Sequence, residues 1–173
     1  MMGMSLRHAL LGLLADRPAS GYDLIHRFKE SLANVWPATQ SQIYTELTKL
    51  ADAGEITVSD EGPRGRKEYT ITPAGLADLR HWLTEVAPKP ITRNETLLRV
   101  FFLDALTPAE AITYLTTLES RSAAALAELL TLESAIDWTA NPFSTNGHIA
   151  LEWGKRFYRM NQEWAEWAKQ QVT

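Results

Sequence analysis

The sequence predicts a mainly α-helical protein with one small β-hairpin. Most of its 173 residues lie in stretches whose apolar side chains recur at the period of an α-helix. Residues 55–59 and 67–72 instead alternate apolar and polar side chains, as strands do. Between them, residues 60–66 contain two glycines and one proline, which is typical of a hairpin loop.

The composition is that of an ordinary globular protein. With 45% hydrophobic and 22% charged residues, wholesale disorder is excluded. The chain has no cysteine, which excludes disulfide bonds and thiolate metal sites. The longest early apolar run, residues 9–15, is too short to span a membrane. We therefore expect a cytoplasmic protein that does not insert into a membrane.

The net charge does not predict a nucleic-acid partner. The chain carries 17 Lys and Arg against 21 Asp and Glu, a formal net charge of −4. Residues 1–86 contain 9 basic and 11 acidic residues, and the rest contains 8 and 10, so neither part has a surplus of positive charge. DNA binding would therefore depend on local geometry.

Two helices are predicted before residue 33. Residues 5–15 are apolar on most faces, which is typical of a central buried helix. Ser20 is placed to cap a second helix over residues 21–32. The side chains that we expect this helix to bury are Tyr22, Leu24, Ile25, Phe28 and Leu32.

A third helix is predicted over residues 39–54. Thr39 and Gln42 match the capping box that starts a helix, and Gly54 supplies the left-handed residue that often ends one. Its inward face is apolar, whereas its outward face offers many hydrogen-bonding groups and one full charge, Lys49. A helix face that contacts only water usually carries Glu and Lys. We therefore expect this face to contact a polar partner.

A fourth helix, over residues 72–86, follows the hairpin and begins with a capping threonine and a proline. The side chains that we expect to point inward are Leu76, Leu79, Trp82 and Leu83. Three short helices with a tight turn before the third, then a β-hairpin, form the winged helix-turn-helix layout. The prolines within residues 88–90 make a stiff break. We predict a winged helix-turn-helix domain over residues 1–86 and an α-helical dimerisation domain over residues 87–173.

The second domain is predicted to contain a short apolar helix (residues 93–105), two long helices (107–138 and 148–171) and a loop between them (141–146). Both long helices repeat apolar residues as a coiled-coil seam does. We expect them to form an antiparallel pair, and because two such seams exceed what one short domain can cover, a homodimer. The expected interface residues are Leu115, Leu118, Leu129, Trp153, Phe157, Met160, Trp164 and Trp167.

The sequence gives no indication of an enzyme or a metal site. The four histidines are far apart and lack metal-ligand spacing, and there is no glycine-rich phosphate loop or Gly-x-Ser-x-Gly motif. Carboxylates are scattered along helix surfaces, where a solvated face explains them. We expect no catalytic residue, no metal ion and no cofactor.

The order of elements favours DNA binding more than the charge does. The second helix of a helix-turn-helix places its first residues at base edges in the major groove, and here those are Gln40, Ser41, Gln42 and Thr45. Glutamine pairs with adenine, and Ser or Thr reaches a base edge or a phosphate. The other expected DNA contacts, to phosphates or a minor groove, are Tyr44, Lys49, Arg64, Arg66 and Lys67.

Each of these residues also has a simpler structural explanation. Helix capping and solvent contact account for the polar residues that start the helix. The Tyr44 ring could pack under the hairpin, and the loop arginines could be a solvated tip offset by Asp60 and Glu61. The alternative function is a winged-helix protein-interaction module without sequence-specific DNA binding.

The tryptophans of the last helix have two explanations. An aromatic stripe usually packs at an interface, where tryptophan dominates the contact energy. Aromatic-lined cavities also bind flat ligands. We take the interface as the main interpretation and a pocket for a small aromatic effector as the second. A third interpretation is a ligand-binding protein or enzyme that uses this stripe.

Four stretches carry recognisable motifs: residues 6–25 (ending in GYDLI), 42–56 (containing IYTELTKL), 65–83 (containing YTITPAG) and 95–111. Together they resemble the PadR family of bacterial transcriptional regulators, and the last resembles the larger, helical type of its C-terminal domain. The resemblance implies a homodimer that binds an inverted-repeat operator and usually represses. It places Tyr44 and the start of its helix at the DNA, with Arg64 and Arg66 in the wing. It also implies that small aromatic or drug-like compounds release some of these proteins from DNA.

Overall fold

The structure, a computed structural model, describes four stretches of the chain: residues 3–33, 35–62, 66–90 and 93–172. The chain divides into two compact units, Met1–Lys89 and Pro90–Thr173. This division lies close to the domain boundary that we expect after residue 86. The first unit combines helices with a small sheet, and the second is helical in its described residues.

The described part of the first unit contains four α-helices and three strands. In chain order they are α1 (Gly3–Asp16), β1 (Ala19–Ser20), α2 (Gly21–Ser31), α3 (Gln40–Asp52), β2 (Ile56–Gly62), β3 (Arg66–Ile71) and α4 (Pro73–Glu85). This order confirms the predicted fold class, mainly α with a small β-hairpin in a winged helix-turn-helix layout. The connection between α2 and α3, residues 32–39, is longer than the tight turn that we expect, since such turns have about three to four residues.

Helix α1 lies at the centre of the first unit, as its apolar faces predict. It packs against α2, α3, α4 and β3, and Leu10, Leu11 and Leu13 have no exposed surface. The buried side chains that surround it are Leu24, Ile25, Phe28, Ile43, Leu47, Leu50, Ile56 and Leu79. Each fully buried side chain of this size contributes about 1.5–3 kcal/mol of hydrophobic stabilisation. The first unit therefore has a complete core of its own.

The sheet has the antiparallel strand order β1–β3–β2. Strands β2 and β3 form the predicted hairpin, in which Ile56 lies opposite Ile71. Strand β2 continues to Gly62, beyond the predicted residues 55–59, with an irregular register before its last pair. Strand β1 was not predicted, because two residues are too short to display an alternating pattern.

Two side chains that we expected to be buried are exposed. Tyr22 is 65% exposed, because the buried residues of α2 are Gly21, Leu24, Ile25 and Phe28 and residue 22 lies outside their stripe. Leu83 is 64% exposed, since it lies in the last turn of α4, whose buried residues are confined to Gly75 and Leu79.

The second unit contains α5 (Glu95–Val100), a short 3-10 helix (Leu103–Ala105), α6 (Pro108–Ala135) and α7 (Pro142–Lys169). The single helix predicted over residues 93–105 is therefore interrupted after Val100. Within the described residues, no helix is long and apolar enough to cross a membrane.

The ends of the two long helices follow from their capping residues. Thr107 and Glu110 form the predicted capping box of α6. Helix α6 ends at Ala135, before the predicted residue 138. Helix α7 begins at Pro142, earlier than the predicted residue 148, because the Asn141 side chain accepts a hydrogen bond from the Ser144 N–H at 2.9 Å. Residues 141–146, which we predict as a loop, therefore form the N-cap and the first turn of α7.

Helices α6 and α7 form the expected antiparallel pair. Glu119, in the first half of α6, pairs with Lys169 at the end of α7 at 2.7 Å. Glu133, near the end of α6, pairs with Lys155 in the middle of α7 at 2.8 Å. The α6 face that contains Leu115 points toward α7, as its predicted seam requires.

The face of α7 that contacts α6 is not the one that the sequence suggests. Its buried residues are Leu151, Lys155, Ala165 and Ala168. A Cβ atom added to Gly154 would lie 2.9 Å from Leu129 Cδ1, so small residues on α7 admit the side chains of α6. The predicted aromatic seam of α7 lies on a different face and is largely exposed. We correct the expectation that the two predicted seams pack against each other.

Candidate nucleic-acid interface

Helix α3 starts with the capping box that its sequence predicts. Thr39 Oγ1 accepts a hydrogen bond from the Gln42 N–H at 3.3 Å, and Gln42 Oε1 accepts one from the Thr39 N–H at 2.8 Å. The Thr39 hydroxyl also donates to Gln42 Oε1 at 3.1 Å. The carbonyl of the Gln42 amide is therefore occupied by the cap. Its NH2 group is the part that remains to contact a base.

The predicted base-reading residues and Tyr44, the predicted phosphate contact, lie together on the outer side of the first two turns of α3. We call this surface the reading face, and its members are Gln40, Ser41, Gln42, Tyr44 and Thr45, all exposed. The opposite side of the helix is fixed in the core by Ile43, Leu47 and Leu50, each 1% exposed or less. A rigid helix that presents amides and hydroxyls in this way can form hydrogen bonds to base edges.

Lys49, the single cation expected on the outer face of α3, is paired. Its Nζ lies 3.1 Å from Glu46 Oε2, and the Glu46 side chain is 8% exposed. The ammonium group itself stays accessible, since the Lys49 side chain is 59% exposed. The sequence did not indicate Glu46, because a carboxylate next to a buried stripe usually points to solvent. The pairing reduces the net charge that α3 offers to a phosphate.

The Tyr44 ring is partly packed against its own chain and partly exposed, so both a packing role and a contact with a partner fit it. It is 40% exposed, and the end of its phenol ring lies over Gly21, where an added Cβ atom would lie 2.8 Å from Tyr44 Cε1 and 3.3 Å from its hydroxyl oxygen. Burial raises the pKa of Tyr69 in β3, and the nearby Tyr44 phenol raises it further. The ring is therefore packed between α2 and the sheet, and part of it remains open to a partner.

The hairpin contributes basic side chains to the same unit. Arg66 and Lys67, at the start of β3, are both exposed. The Arg66 guanidinium carbon lies 6.0 Å from the centroid of the Tyr22 ring. Arg64, the other arginine expected in the wing, lies outside the described residues.

The end of α3 is tied to the hairpin and to α4 through the backbone around Glu55. Gly54 has φ 71°, the left-handed conformation that its position predicts. The Thr72 N–H donates to the Glu55 carbonyl at 2.9 Å, and the Thr72 hydroxyl donates to the Gly54 carbonyl at 2.8 Å. Gly75 lies so close to the Glu55 carbonyl oxygen that a Cβ atom there would overlap it. These contacts fix α3 relative to the hairpin.

A network of charged side chains holds α1 against the same junction. Arg7 pairs with Glu55 and lies 3.5 Å from Asp78 in α4. His8, 4% exposed, lies 3.1 Å from Asp78 Oδ2 and stacks on the Trp82 ring at 4.6 Å between centroids. The network joins residues distant in sequence, so no local pattern indicated it.

The second unit presents an exposed apolar surface that we call the aromatic face of α7. Its members are Trp153, Phe157, Met160, Trp164 and Trp167. Trp153 and Trp167 are 68% and 57% exposed, and Met160 is 54% exposed, whereas Trp164 is half-buried. The Trp153 and Phe157 rings stack at 5.4 Å. An apolar surface of this extent is typical of a protein interface.

The three α6 residues expected at the dimer interface lie on the side of α6 that faces α7. Leu115 has no exposed surface in the single chain, so its side chain cannot contact a partner. Leu118 and Leu129 are half-buried, and Leu129 lies over Gly154. We therefore correct the expectation for Leu115 and assign the candidate interface to the aromatic face of α7.

The described residues contain no group of three or more His, Cys, Asp or Glu side chains that could hold a metal ion. One polar cluster of the second unit is centred on Glu133, which His148 approaches at 3.1 Å and Lys155 at 2.8 Å. The Lys155 and His148 hydrogen bonds lower the pKa of Glu133. This cluster stabilises the pairing of α6 and α7.

Two family models match the chain, one in each unit. The model of the PadR-like family of transcriptional regulators matches residues 10–81, and the model described as virulence activator alpha C-term matches residues 92–173. The negative transcriptional regulator PadR of Bacillus subtilis is 42% identical over 110 residues. That match covers 61% of this chain and 60% of the Bacillus regulator, less than two thirds of its length.

Two solved structures extend the similarity over nearly the whole chain. Bacillus subtilis PadR in complex with operator DNA is 31% identical, with a TM-score of 0.83 and coverage of 98% of this chain and 99% of that one. The same protein in complex with p-coumaric acid is 32% identical, with a TM-score of 0.85 and coverage of 96% and 98%. The chain therefore belongs to the PadR-like family of transcriptional regulators, which are DNA-binding winged-helix proteins and not enzymes.

Proposed function

We propose that this protein is a repressor that binds an inverted-repeat operator as a homodimer and is released from it by a small aromatic compound. The observation that carries the proposal is the reading face, an exposed set of amides and hydroxyls on a helix whose other side is fixed in the core. Amides and hydroxyls can form hydrogen bonds with the donors and acceptors of base edges, which an apolar protein surface does not offer. The relative solved with operator DNA supports the same interpretation.

The homodimer is argued from the aromatic face of α7. Trp153, Met160 and Trp167 are each more than half exposed in the single chain, and burying such large apolar side chains between two copies supplies the contact energy of a stable interface. A twofold dimer presents two reading faces, which fits an inverted repeat. Doubling the contacts also compensates for the net charge of −4, which gives no general attraction to DNA.

Release by an effector is argued from the relative solved with p-coumaric acid, a small aromatic acid. The exposed aromatic residues of α7 are side chains that suit a flat ligand. Ligand binding that changes the spacing of the two reading faces would lower the affinity for both half-sites together.

The test begins with selection of bound duplexes from fragmented DNA of the source genome. The selected duplex is then titrated by fluorescence anisotropy with wild type, Gln40→Ala and Ser41→Ala. We expect each substitution to weaken binding by about 1–3 kcal/mol on the selected duplex and to relax its preference over a scrambled duplex. Thr84→Ala, an exposed threonine of α4, serves as the control and should bind as wild type does.

Failure to select any duplex at low salt, where phosphate contacts are strongest, would contradict the proposal and favour a protein-interaction module. The effector part is tested separately by adding p-coumaric acid to the complex. We expect a fall in operator affinity together with quenching of tryptophan fluorescence. If neither signal changes, small aromatic acids of this kind are excluded as effectors.

A further inference from the structure

The exposure of Tyr22 is the feature of the first unit that the proposed function leaves unexplained. The ring is 65% exposed, although tyrosine in an amphipathic helix usually turns its apolar part inward. Its helix buries Leu24, Ile25 and Phe28 instead. Single exposed apolar side chains are common, so exposure alone carries no conclusion. We infer the function of Tyr22 from the charged side chain that lies over its ring.

That side chain is Arg66, whose guanidinium carbon lies 6.0 Å from the centroid of the Tyr22 ring. The register of the sheet produces this proximity. Ser20 in β1 lies opposite Glu68 in β3, and α2 begins at the next residue, Gly21. The sheet therefore brings the start of α2 close to the first residues of β3.

Tyr44 from α3 reaches the same place. The end of its phenol ring lies over Gly21, the residue before Tyr22. The start of α2 is therefore flanked by one side chain from each part of the DNA-binding layout: Tyr22 from α2, Tyr44 from α3 and Arg66 from the hairpin. The Arg66 guanidinium and the Tyr44 hydroxyl are donors suited to a phosphodiester oxygen. The carboxylate of Asp23, in the first turn of α2, would repel a phosphate at this point. Its Oδ2 accepts a hydrogen bond from the Ser20 hydroxyl at 2.7 Å.

We propose that Tyr22 positions Arg66 to contact a backbone phosphate of the bound duplex, beside Tyr44 at the edge of the reading face. The inference rests on the proposed DNA binding and adds Tyr22, which neither the sequence pattern nor the relatives assign. A guanidinium stacked on an aromatic face keeps its donors free while its side chain loses conformational freedom before binding. Tyr22 is then a positioning residue that acts through Arg66.

The experiment uses four forms of the full chain: wild type, Tyr22→Ala, Arg66→Ala and the double variant. Each is titrated by fluorescence anisotropy with the selected duplex and with a scrambled duplex, over a series of salt concentrations. Arg66→Ala should weaken binding to both duplexes by a similar factor and lower the salt slope by about one, as loss of one phosphate contact does. Tyr22→Ala should change both quantities in the same direction and by a smaller amount.

The double variant distinguishes positioning from independent contact. If Tyr22 acts through Arg66, the double variant binds as Arg66→Ala does, because the ring has nothing left to position. If the two losses multiply instead, or if Tyr22→Ala leaves the salt slope unchanged, the inference is overturned. A wild type that binds neither duplex overturns the proposed function itself, and so the two failures are distinguishable.

Three further measurements complete the test. Tyr22→Phe keeps the ring and should bind as wild type does, whereas a loss equal to that of Tyr22→Ala would overturn positioning by the ring. Lys29→Ala removes an exposed cation from the other end of α2 and controls for general charge, with no expected change in salt slope. Thermal unfolding of all variants should match wild type, since Tyr22 is largely exposed; a large stability loss in Tyr22→Ala would assign the ring a structural role and overturn the inference.

Discussion

The two units bury their apolar side chains in different ways. In the first, the leucines of α1 and their neighbours Phe28, Ile43 and Leu47 are almost completely enclosed within one chain. In the second, the enclosed apolar side chains among its described residues are two leucines, Leu115 and Leu151, and three alanines. Three of its largest side chains, Trp153, Met160 and Trp167, stay more than half exposed. The first unit is therefore complete in a single chain, and the second leaves apolar surface for a partner.

The same contrast appears between the two faces of α7. The face against α6 contains Gly154, Ala165 and Ala168, which are small enough to let the helices approach closely. The other face contains the tryptophans. In a core, large side chains usually lie inside, so this arrangement supports the proposed homodimer.

The largest expected effect concerns the core of the first unit. Leu47→Ala removes a side chain with no exposed surface and should lower the free energy of unfolding by about 2–5 kcal/mol. Urea denaturation followed by circular dichroism measures this loss. Leu83→Ala is the matched control, since Leu83 is 64% exposed and should change stability little. Equal losses in the two variants would contradict the description of a self-contained core.

A somewhat smaller effect is expected at the aromatic face. Trp153→Ala combined with Trp167→Ala should weaken the dimer by about 2–4 kcal/mol, because buried tryptophans dominate interface energies. Sedimentation velocity over a dilution series measures the dissociation constant. Trp36→Ala, a tryptophan of the first unit that is 37% exposed, should leave the constant unchanged. An unchanged constant in the double variant would place the interface elsewhere.

The smallest effect concerns the ion pairs between α6 and α7. The Lys155 and His148 hydrogen bonds lower the pKa of Glu133 below its ordinary value of 4.5. A carboxylate whose pKa falls on folding adds stability above its unfolded pKa and loses that contribution as the pH falls through its folded pKa. Glu133→Gln should therefore be less stable than wild type at neutral pH, and the difference should vanish in acid.

Urea denaturation at neutral and acidic pH measures this difference. Glu128→Gln, an exposed glutamate of the same helix that makes no ion pair with the described residues, should show little pH-dependent difference. If Glu133→Gln were as stable as wild type at neutral pH, the ion pairs of Glu133 would contribute nothing to the pairing of α6 and α7.

The local features of the fold were predictable from sequence because short-range hydrogen bonds fix them. The capping boxes of Thr39 with Gln42 and of Thr107 with Glu110, and the left-handed Gly54, form as expected. Each depends on residues within a few positions of one another. The early start of α7 was missed because Asn141 and the proline after it are equally typical of a loop.

Features that depend on tertiary packing were not predictable in the same way. Helix α7 carries two stripes with helical spacing, and periodicity does not say which one its own chain covers. The same limit applies to Tyr22, which fits an inward position by spacing but lies against Arg66 outside the core. The reading face could be placed on one side of α3, whereas the pairing of Lys49 with a buried Glu46 could not.

The proposed repressor requires that the aromatic face of α7 brings two reading faces to one DNA site. Native mass spectrometry of the selected duplex, with protein in excess, tests it most directly by counting bound chains of 19.4 kDa. We predict two chains on the full duplex and loss of that complex when Trp153 and Trp167 are both replaced by alanine. One chain per full duplex in the wild type, with affinity unaffected by the double substitution, would contradict the account.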